Sequence, residues 1–297
     1  MHIDPDISCC EIQPSGLRMG YVSRGKGPLV IFLHGFPDTL RGFLPILDVV
    51  AAAGYRAVAP ALRGYGPTAL APDGDYRVEA SAKDAVGLAD ALGADRFSVV
   101  GHDWGAATAY AASNLAPDRI DSLITAAVPH IGHFFLTPRL KQLFRSRYIL
   151  GFQLPSFPER SLSRNDFAGI ESLIRRWSPD WAFGETEMRP LKDNYAEPGR
   201  LTAALSYYRQ LPRSLLSPLS RRLIFSPVVT PTRTIFGLRD GCFGAEMFTN
   251  QERLFPGGLD LVPLAEAGHF MQWEQPTQFA RLVVDFLNSK VSLSKPN

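Results

Sequence analysis

Residues 99–105, with the sequence Val-Val-Gly-His-Asp-Trp-Gly, combine a potential nucleophile with the local structure that would expose it. The stretch follows a β-prone run and opens a helix of small residues, so Asp103 lies in a strand-to-helix elbow. Such an elbow projects its central side chain above the sheet, and the helix N-terminus behind it favours an anion. Gly101 and Gly105 are expected because a Cβ there would collide with neighbouring backbone. The pattern predicts a nucleophilic carboxylate at Asp103, with a simple helix cap as the alternative.

An acid and a histidine follow Asp103 in chain order, each just beyond a predicted strand. Asp240 follows the β-prone residues 232–236, and His269 follows residues 259–264. Because the carboxyl ends of parallel strands converge on one crevice, the three side chains are expected to meet there. Taken singly, Asp240 is more often a turn residue and His269 a surface-loop residue. Their order along the chain (nucleophile, acid, histidine) predicts a hydrolytic triad.

A second loop is expected to supply backbone donors to the same site. The sequence His34-Gly-Phe-Pro follows directly after the apolar run 29–33. In a triad built on a strand-to-helix elbow, this loop provides one of the N–H groups that bind the oxyanion. Phe36 N–H is the candidate, and Trp104 N–H, just after the nucleophile, is the second. The Phe36–Pro37 bond is a candidate cis peptide, and a plain turn is the alternative interpretation of the loop.

The rest of the chain alternates short apolar runs with helical patterns. This alternation predicts an α/β fold with a largely parallel sheet covered by helices on both faces. Strands are predicted at 29–33, 55–59, 97–100, 123–128, 232–236 and 259–264, and helices at 40–50, 84–92, 105–112 and from Pro276 onwards. Ile12 and residues 19–22 are candidates for strands of an antiparallel edge.

Residues 129–226 interrupt this alternation and show no convincing strand. We therefore predict a core formed by residues 1–128 and 227–297, with a helical insertion between them. The insertion holds 15 Lys and Arg against 8 Asp and Glu, a net charge of +7, whereas the rest of the chain carries −5. A solvated basic face is the ordinary interpretation, and attraction to an anionic lipid or substrate is the alternative. Helical stretches in the insertion are predicted around 140–150, 168–177 and 201–211.

Composition limits the classes of partner and compartment. The 297 residues carry a net charge of +2, which does not favour a nucleic-acid-binding protein. Three cysteines, two of them adjacent, do not indicate a disulfide framework. Residues 1–10 contain acids and no apolar run, so no signal peptide is expected. No run approaches the roughly 18 apolar residues of a membrane-spanning helix. We expect a cytoplasmic protein, as a monomer or a homodimer.

Three motifs resemble those of the α/β-hydrolase-fold epoxide hydrolases: His34-Gly-Phe-Pro-Asp, Arg63-Gly-Tyr-Gly and Gly101-His-Asp-Trp-Gly. The resemblance extends over residues 20–287 and implies the α/β-hydrolase fold, with the helical insertion as a cap over the strand ends. Haloalkane and fluoroacetate dehalogenases share the nucleophilic aspartate. The dehalogenases usually have another residue, often Asn, where Phe36 stands, so Phe36 favours an epoxide hydrolase. Trp104 occurs in both groups and does not discriminate between them.

The resemblance also implies two cap tyrosines that hydrogen-bond the epoxide oxygen. One lies in a pattern like Tyr-x-x-x-Phe-Gln, which matches residues 148–153, and the other precedes an arginine, which matches Tyr208. Tyr207 is the alternative to Tyr208, and on a helix its side chain would point about 100° away. Core packing with a tethered hydroxyl is the other interpretation of each tyrosine. The expected substrate contacts are Phe36, Pro37, Trp104, Tyr148, Tyr208 and Phe270.

Together these residues predict the hydrolysis of a small-molecule epoxide by water. The Asp103 carboxylate would displace the epoxide oxygen and form an ester, while both tyrosines donate to the leaving oxygen. His269, oriented by Asp240, would then activate the water that hydrolyses the ester. A haloalkane or haloacid dehalogenase with the same nucleophile and a non-catalytic binding protein are the alternatives. No metal or organic cofactor is expected, because no ligand spacing with acids or cysteines is found at His34, His102, His130 and His133.

Overall fold

Eight β-strands form one sheet in the computed structural model, which describes residues 7–13 and 15–291 of the chain. The strands lie in the order β1-β2-β4-β3-β5-β6-β7-β8. The pairs β1–β2 and β2–β4 are antiparallel, and all other neighbours are parallel. The strands are β1 (Ile7–Ile12), β2 (Leu17–Arg24), β3 (Leu29–Leu33), β4 (Arg56–Pro60), β5 (Phe97–His102), β6 (Ile120–Ala126), β7 (Thr232–Gly237) and β8 (Leu259–Leu264).

Thirteen α-helices accompany the sheet in the described residues. In chain order they are α1 (Leu44–Ala52), α2 (Val78–Ala91), α3 (Trp104–Leu115), α4 (Ile131–Leu136), α5 (Leu140–Arg145), α6 (Tyr148–Phe152), α7 (Phe157–Trp177), α8 (Glu185–Ala196), α9 (Arg200–Arg209), α10 (Leu211–Leu216), α11 (Pro218–Phe225), α12 (Met271–Glu274) and α13 (Pro276–Val291). Helices α1 and α13 pack together, and α2, α3 and α11 form a second group. Both faces of a mostly parallel sheet are apolar and must be covered, and the two groups of helices pack against the strands.

The α/β fold predicted from the strand–helix alternation is confirmed, including the antiparallel edge formed by β1 and β2. The central strands are buried along their whole length, which explains why they read as continuous apolar runs rather than as alternating ones. The crossover places β3 beside β5, with Leu33 paired to Gly101. The loops that follow these two strands therefore lie side by side at the carboxyl edge of the sheet.

Several predicted helix boundaries differ from the observed ones. The pattern at 40–50 divides into a 3-10 turn, Leu40–Phe43, followed by α1. The helix predicted at 84–92 begins earlier, at Val78. The pattern at 140–150 is two short helices, α5 and α6, separated by a turn at residues 146 and 147. Helix α8, which contains Pro190, was not predicted.

The segment between β6 and β7 contains eight helices, α4 to α11, and no strand in residues 127–231, all of which are described. The expected absence of strands from residues 129–226 is thus confirmed. The division of the chain at residues 128 and 226 into core and cap stays a prediction. Within the described part of the chain, no helix is both long and apolar enough to cross a membrane.

Candidate active site

Asp103 stands at the elbow between β5 and α3 in a backbone conformation that L-residues rarely adopt. Its φ and ψ are 52° and −119°, in a strained region that persists only where surrounding structure enforces it. The enforcing contacts are close backbone approaches at two glycines. A Cβ on Gly101 would lie 2.3 Å from the carbonyl oxygen of Gly105, and one on Gly105 would lie 1.9 Å from that of Leu33. Both glycines are therefore required, as the sequence pattern predicted.

One oxygen of the Asp103 carboxylate is held by the loop after β3. The N–H of Phe36 donates to Asp103 Oδ1 at 2.8 Å, and the Phe36–Pro37 peptide is cis. Gly35 permits this approach, because a Cβ there would lie 2.4 Å from the Cβ of Asp103. The Phe36 N–H therefore lies beside Asp103, as the sequence predicted. The role of the Trp104 N–H as a second donor stays a prediction.

His269 lies between two carboxylates that come from different strand ends. Its Nδ1 is 2.9 Å from Asp240 Oδ2, and its Nε2 is 3.6 Å from Asp103 Oδ2. Asp240 is itself fixed, because its Oδ1 accepts the N–H groups of Cys242 at 2.6 Å and Phe243 at 2.9 Å. The three residues predicted to form a triad are therefore brought together in the expected geometry, with the histidine ring oriented by the acid and facing the nucleophile.

The electrostatic environment favours the charged form of His269. Burial of the ring opposes protonation, but the carboxylates of Asp240 and Asp103 outweigh it and raise the pKa of His269 to about 10. A histidine that is already protonated cannot take a proton from water. The imidazole can act as a base only after one of the two negative charges has been removed.

A cavity of about 80 Å³ opens in front of Asp103. Its walls are almost entirely apolar, and Asp103, Tyr148 and Tyr208 are among the residues that line it. Both tyrosines belong to the inserted helices, Tyr148 to α6 and Tyr208 to α9. The cavity is lined by Asp103, Trp104, Ala107, Val128, Ile131, Phe134, Phe135, Tyr148, Ile149, Tyr208, Leu211 and Phe243.

The two tyrosine hydroxyls at the cavity are poorly satisfied by the protein. Tyr208 is 2% exposed, and its hydroxyl makes no well-aligned hydrogen bond among the described residues, although the Trp104 side chain is close enough to interact with it. The Tyr148 hydroxyl lies 3.5 Å from the thiol of Cys242, a weak partner. Burial raises the pKa of both phenols well above their ordinary value, so both stay protonated and able to donate. A buried hydroxyl without a partner is costly unless a ligand supplies one.

Tyr207, the alternative to Tyr208, is engaged elsewhere. Its hydroxyl donates to the backbone carbonyl of Arg63 at 3.0 Å, and its ring packs against Tyr65 and Tyr76. It does not line the cavity. The geometry therefore favours Tyr208 as the second tyrosine of the site.

Three of the expected substrate contacts are not brought to the cavity. The ring of Phe36 packs among Phe152, Trp177 and Tyr208, so only its N–H faces Asp103. The carbonyl of Pro37 accepts the Tyr195 hydroxyl at 3.0 Å. Phe270 is 2% exposed and packs against His102, Trp177 and Trp181. Trp104, Tyr148 and Tyr208 do line the cavity, as expected.

Two residues that flank the tyrosines in sequence connect their helices. Gln153 Nε2 donates to the carbonyl of Tyr208 at 3.1 Å, and Arg209 Nε donates to the carbonyl of Phe152 at 2.9 Å. The Arg209 guanidinium also pairs with Glu159 at 2.6 Å. A side chain at the end of each helix, α6 and α9, therefore donates a hydrogen bond to a backbone carbonyl of the other helix. The sequence drew attention to Gln153 and Arg209 only as neighbours of the tyrosines, and their function as a connection was not predicted.

The loop that carries His269 depends on residues that sequence reasoning missed. Ser178 Oγ accepts the backbone N–H groups of His269 at 2.8 Å and Phe270 at 3.1 Å. Ser178 Oγ in turn donates to Glu274 Oε1 at 2.7 Å, and Glu274 Oε2 accepts Gly268 N–H at 2.8 Å. No pattern in the sequence connects Ser178, on the insertion, with this loop.

The remaining buried histidines near the site have structural partners. His34 Nε2 accepts the Leu62 N–H at 3.0 Å, and His102 Nε2 bonds the His269 carbonyl at 2.9 Å. Burial lowers the pKa of His34 to about 4 and that of His102 to about 3, so both rings are neutral. Among the side chains of residues 7–13 and 15–289, no group of three His, Cys, Asp or Glu is placed to hold a metal ion.

Comparison with known proteins agrees with this geometry. A family model described as the alpha/beta hydrolase fold matches residues 28–276. The chain is 31% identical to the AB hydrolase superfamily protein YfhM of Bacillus subtilis, over 96% of this chain and 99% of that protein. It is 31% identical to Epoxide hydrolase 4 of Mus musculus, over 94% of this chain and 79% of that protein. The crystal structure of Bacillus megaterium epoxide hydrolase in complex with an inhibitor matches with a TM-score of 0.81 and 25% identity, over 95% of this chain and 100% of that chain. The chain therefore belongs to the α/β-hydrolase family, among the epoxide hydrolases.

Proposed function

We propose that this enzyme converts an epoxide into a vicinal diol through a covalent ester on Asp103. One observation carries the proposal: Asp103 lines the same apolar cavity as two tyrosines, the half-buried Tyr148 and the buried Tyr208, whose hydroxyls the protein leaves largely without partners. Opening an epoxide requires a nucleophile at carbon and a proton donor at oxygen. The two sides of this cavity offer one of each.

In the first step, Asp103 Oδ2 attacks an epoxide carbon while Oδ1 stays bound to the Phe36 N–H. The new carbon–oxygen bond forms as the ring carbon–oxygen bond breaks, and the electron pair goes to the former epoxide oxygen. A phenol of Tyr148 or Tyr208 gives that oxygen its proton and becomes a phenolate, stabilised by the second hydroxyl. The apolar walls strengthen these hydrogen bonds because little water competes for them.

The second step requires His269 to change from an acid to a base. Ester formation neutralises Asp103, one of the two carboxylates that raise the pKa of His269. The pKa of the imidazole then falls, and the imidazolium gives its proton to the phenolate formed in the first step. The neutral ring can now take a proton from the water that attacks the ester carbonyl, and the diol leaves with that proton. The proton released as the Asp103 carboxylate re-forms returns His269 to its protonated state.

The decisive test uses the difference between the two steps. His269→Gln should leave alkylation possible and block hydrolysis, because alkylation needs no base. Intact-protein mass spectrometry after incubation with styrene oxide should show a lasting adduct equal to the substrate mass. The double variant Asp103→Ala, His269→Gln is the control and should stay unmodified. An inactive His269→Gln protein that acquires no adduct would count against the covalent ester.

Turnover by the parent enzyme distinguishes the epoxide hydrolase from the dehalogenase alternative. A haloalkane would alkylate the same aspartate, but its leaving group is a halide that needs no proton. Chloride release from 1-chlorobutane at a rate comparable with diol formation would favour the dehalogenase. Diol formation without chloride release would favour the epoxide hydrolase. The cytoplasmic location and the choice between monomer and homodimer stay predictions.

A further inference from the structure

Helix α5 presents its apolar side chains to water and turns a polar one inward. Leu140, Leu143 and Phe144, at helical spacings of three and four residues, share one face and are 87%, 57% and 67% exposed. Gln142, on the opposite face, is 2% exposed. A surface helix of a globular protein ordinarily has the reverse arrangement. An uncovered apolar stripe of this kind marks an interaction surface.

The inverted orientation of α5 is fixed by hydrogen bonds. Gln142 Nε2 donates to the Cys242 carbonyl and to Ser146 Oγ, both at 2.9 Å, and its Oε1 accepts the Gly244 N–H at 3.1 Å. These contacts fasten the helix to the loop that follows β7. Rotating α5 to bury its leucines would break the two bonds to Cys242 and Gly244, which lie in that loop. The outward apolar face is therefore a stable feature of the fold.

The charge around α5 is uniformly positive in sequence. Residues 122–158 contain no Asp or Glu, whereas Arg139, Lys141, Arg145 and Arg147 lie within nine residues of one another. Lys141 is exposed, and the Arg147 guanidinium stands 4.0 Å over the Phe144 ring. Arg145 has an acidic neighbour from another segment, Glu246, at 4.0 Å. We define the α5 surface as Leu140, Lys141, Leu143, Phe144 and Arg147.

We propose that the α5 surface docks on an anionic lipid bilayer. Exposed leucine and phenylalanine beside Lys and Arg suit the boundary between acyl chains and negative headgroups. A second copy of this chain fits less well. A twofold interface would place the same patch against itself and bring its uncompensated cations together.

Docking through α5 would bring the cavity close to the lipid. The helices on either side of it in sequence, α4 and α6, supply Ile131, Phe134, Phe135, Tyr148 and Ile149 to the cavity wall. An epoxide dissolved in the bilayer would then reach the cavity from the docked face. This last consequence rests on the proposed function, whereas lipid binding itself does not.

The test measures co-sedimentation of the full chain with vesicles of phosphatidylcholine, with and without phosphatidylglycerol. The protein should bind the anionic vesicles, bind neutral ones weakly, and release as salt is raised. Leu140→Ser should reduce the partition coefficient about 3- to 10-fold, because it removes one inserted side chain. Lys141→Gln should reduce binding to anionic vesicles and leave binding to neutral ones unchanged.

Leu216→Ser is the matched control for this experiment. Leu216 is 82% exposed but belongs to α10, next to Ser217, whose hydroxyl donates to Glu79. Its replacement should leave vesicle binding unchanged. Absence of binding to anionic vesicles, or equal losses in Leu140→Ser and Leu216→Ser, would overturn the proposal. So would a dimer in sedimentation velocity that Leu140→Ser dissociates. Turnover of a water-soluble epoxide by Leu140→Ser, measured in parallel, separates failure here from failure of the proposed function.

Discussion

The two sides of the cavity differ in how far the protein itself hydrogen-bonds their polar groups. On the core side, His269 Nδ1 and Asp240 are hydrogen-bonded to each other, and backbone N–H groups hold one oxygen of Asp103 and one of Asp240 at 2.6–2.9 Å. Within the described part of the chain, the atom left without a hydrogen bond there is His269 Nε2, which faces Asp103 Oδ2 at 3.6 Å. On the inserted side, the Tyr208 hydroxyl makes no well-aligned hydrogen bond among the described residues, and the Tyr148 hydroxyl has only a thiol. Satisfied groups keep one geometry, and unsatisfied ones are available to a ligand. In the mechanism proposed above, the core side would hydrolyse the ester, and the inserted side would assist ring opening.

The largest effect that separates the two sides is expected from the tyrosines. Tyr148→Phe or Tyr208→Phe alone leaves one donor, so ring opening should slow about 10- to 100-fold, less than the roughly 10²- to 10⁴-fold contribution of a general acid that is lost entirely. The double variant leaves the alkoxide without a donor and should slow ring opening about 10³-fold or more. Single-turnover kinetics of ester formation provide the measurement.

Hydrolysis of the ester is the internal control for the tyrosine variants, because it depends on His269 and the backbone donors. Its rate should change little in both single variants. Because the hydroxyls act on one oxygen, their effects should be non-additive. Ring opening at near the parent rate in the double variant would mean that the assignment of the tyrosines is mistaken.

A smaller effect is expected from the connection between the tyrosine helices. Arg209→Met and Gln153→Ala should each slow ring opening about 3- to 10-fold, because small displacements of a positioned donor reduce the rate. Arg175→Met is the matched control, since Arg175 forms an ion pair with Glu171 at 2.7 Å on the exposed side of α7. In the double tyrosine background, the effect of Arg209→Met on ring opening should disappear. A loss that persists there would show that Arg209 acts only through stability.

The smallest expected effect is on the pH dependence of the melting temperature, and it arises from His269 on the core side. The pKa of His269 is raised to about 10 from an ordinary 6.5, so its contribution to stability is complete below pH 6.5 and is lost as pH rises towards 10. The melting temperature should therefore fall over this interval more steeply in the parent than in His269→Gln. His130→Gln is the control: burial lowers the pKa of His130 to about 4, so its removal should not alter this slope. If the melting temperature falls with pH equally in the parent and in His269→Gln, the two carboxylates do not raise the pKa of His269 as described.

The same contrast explains what could be predicted from the sequence. The core side follows local rules: Asp103, Asp240 and His269 each come just after a strand, and parallel strands bring their ends together. The two required glycines could be predicted because the elbow forces backbone contact. The inserted side follows no such periodic rule, and Tyr148 and Tyr208 were found by resemblance to a family.

The residues that were missed share a physical reason. Ser178, Gln142 and Cys242 act through hydrogen bonds to segments far away in sequence, which no local pattern reveals. Phe270 was expected at the substrate, but it is buried away from the cavity, since neighbouring residues in a loop can point to opposite sides. The outward face of α5 was likewise hidden, because leucines at helical spacing ordinarily predict a buried face.

The central claim is that Asp103 attacks the epoxide directly, and isotope transfer tests it most closely. In a single turnover with enzyme in excess, in water enriched in ¹⁸O, the diol should take its new oxygen from the unlabelled carboxylate. The heavy oxygen should appear in the peptide that contains Asp103, as measured by mass spectrometry after digestion. Label found directly in the first-turnover diol, with an unlabelled Asp103 peptide, would contradict the account and indicate that water itself opens the ring.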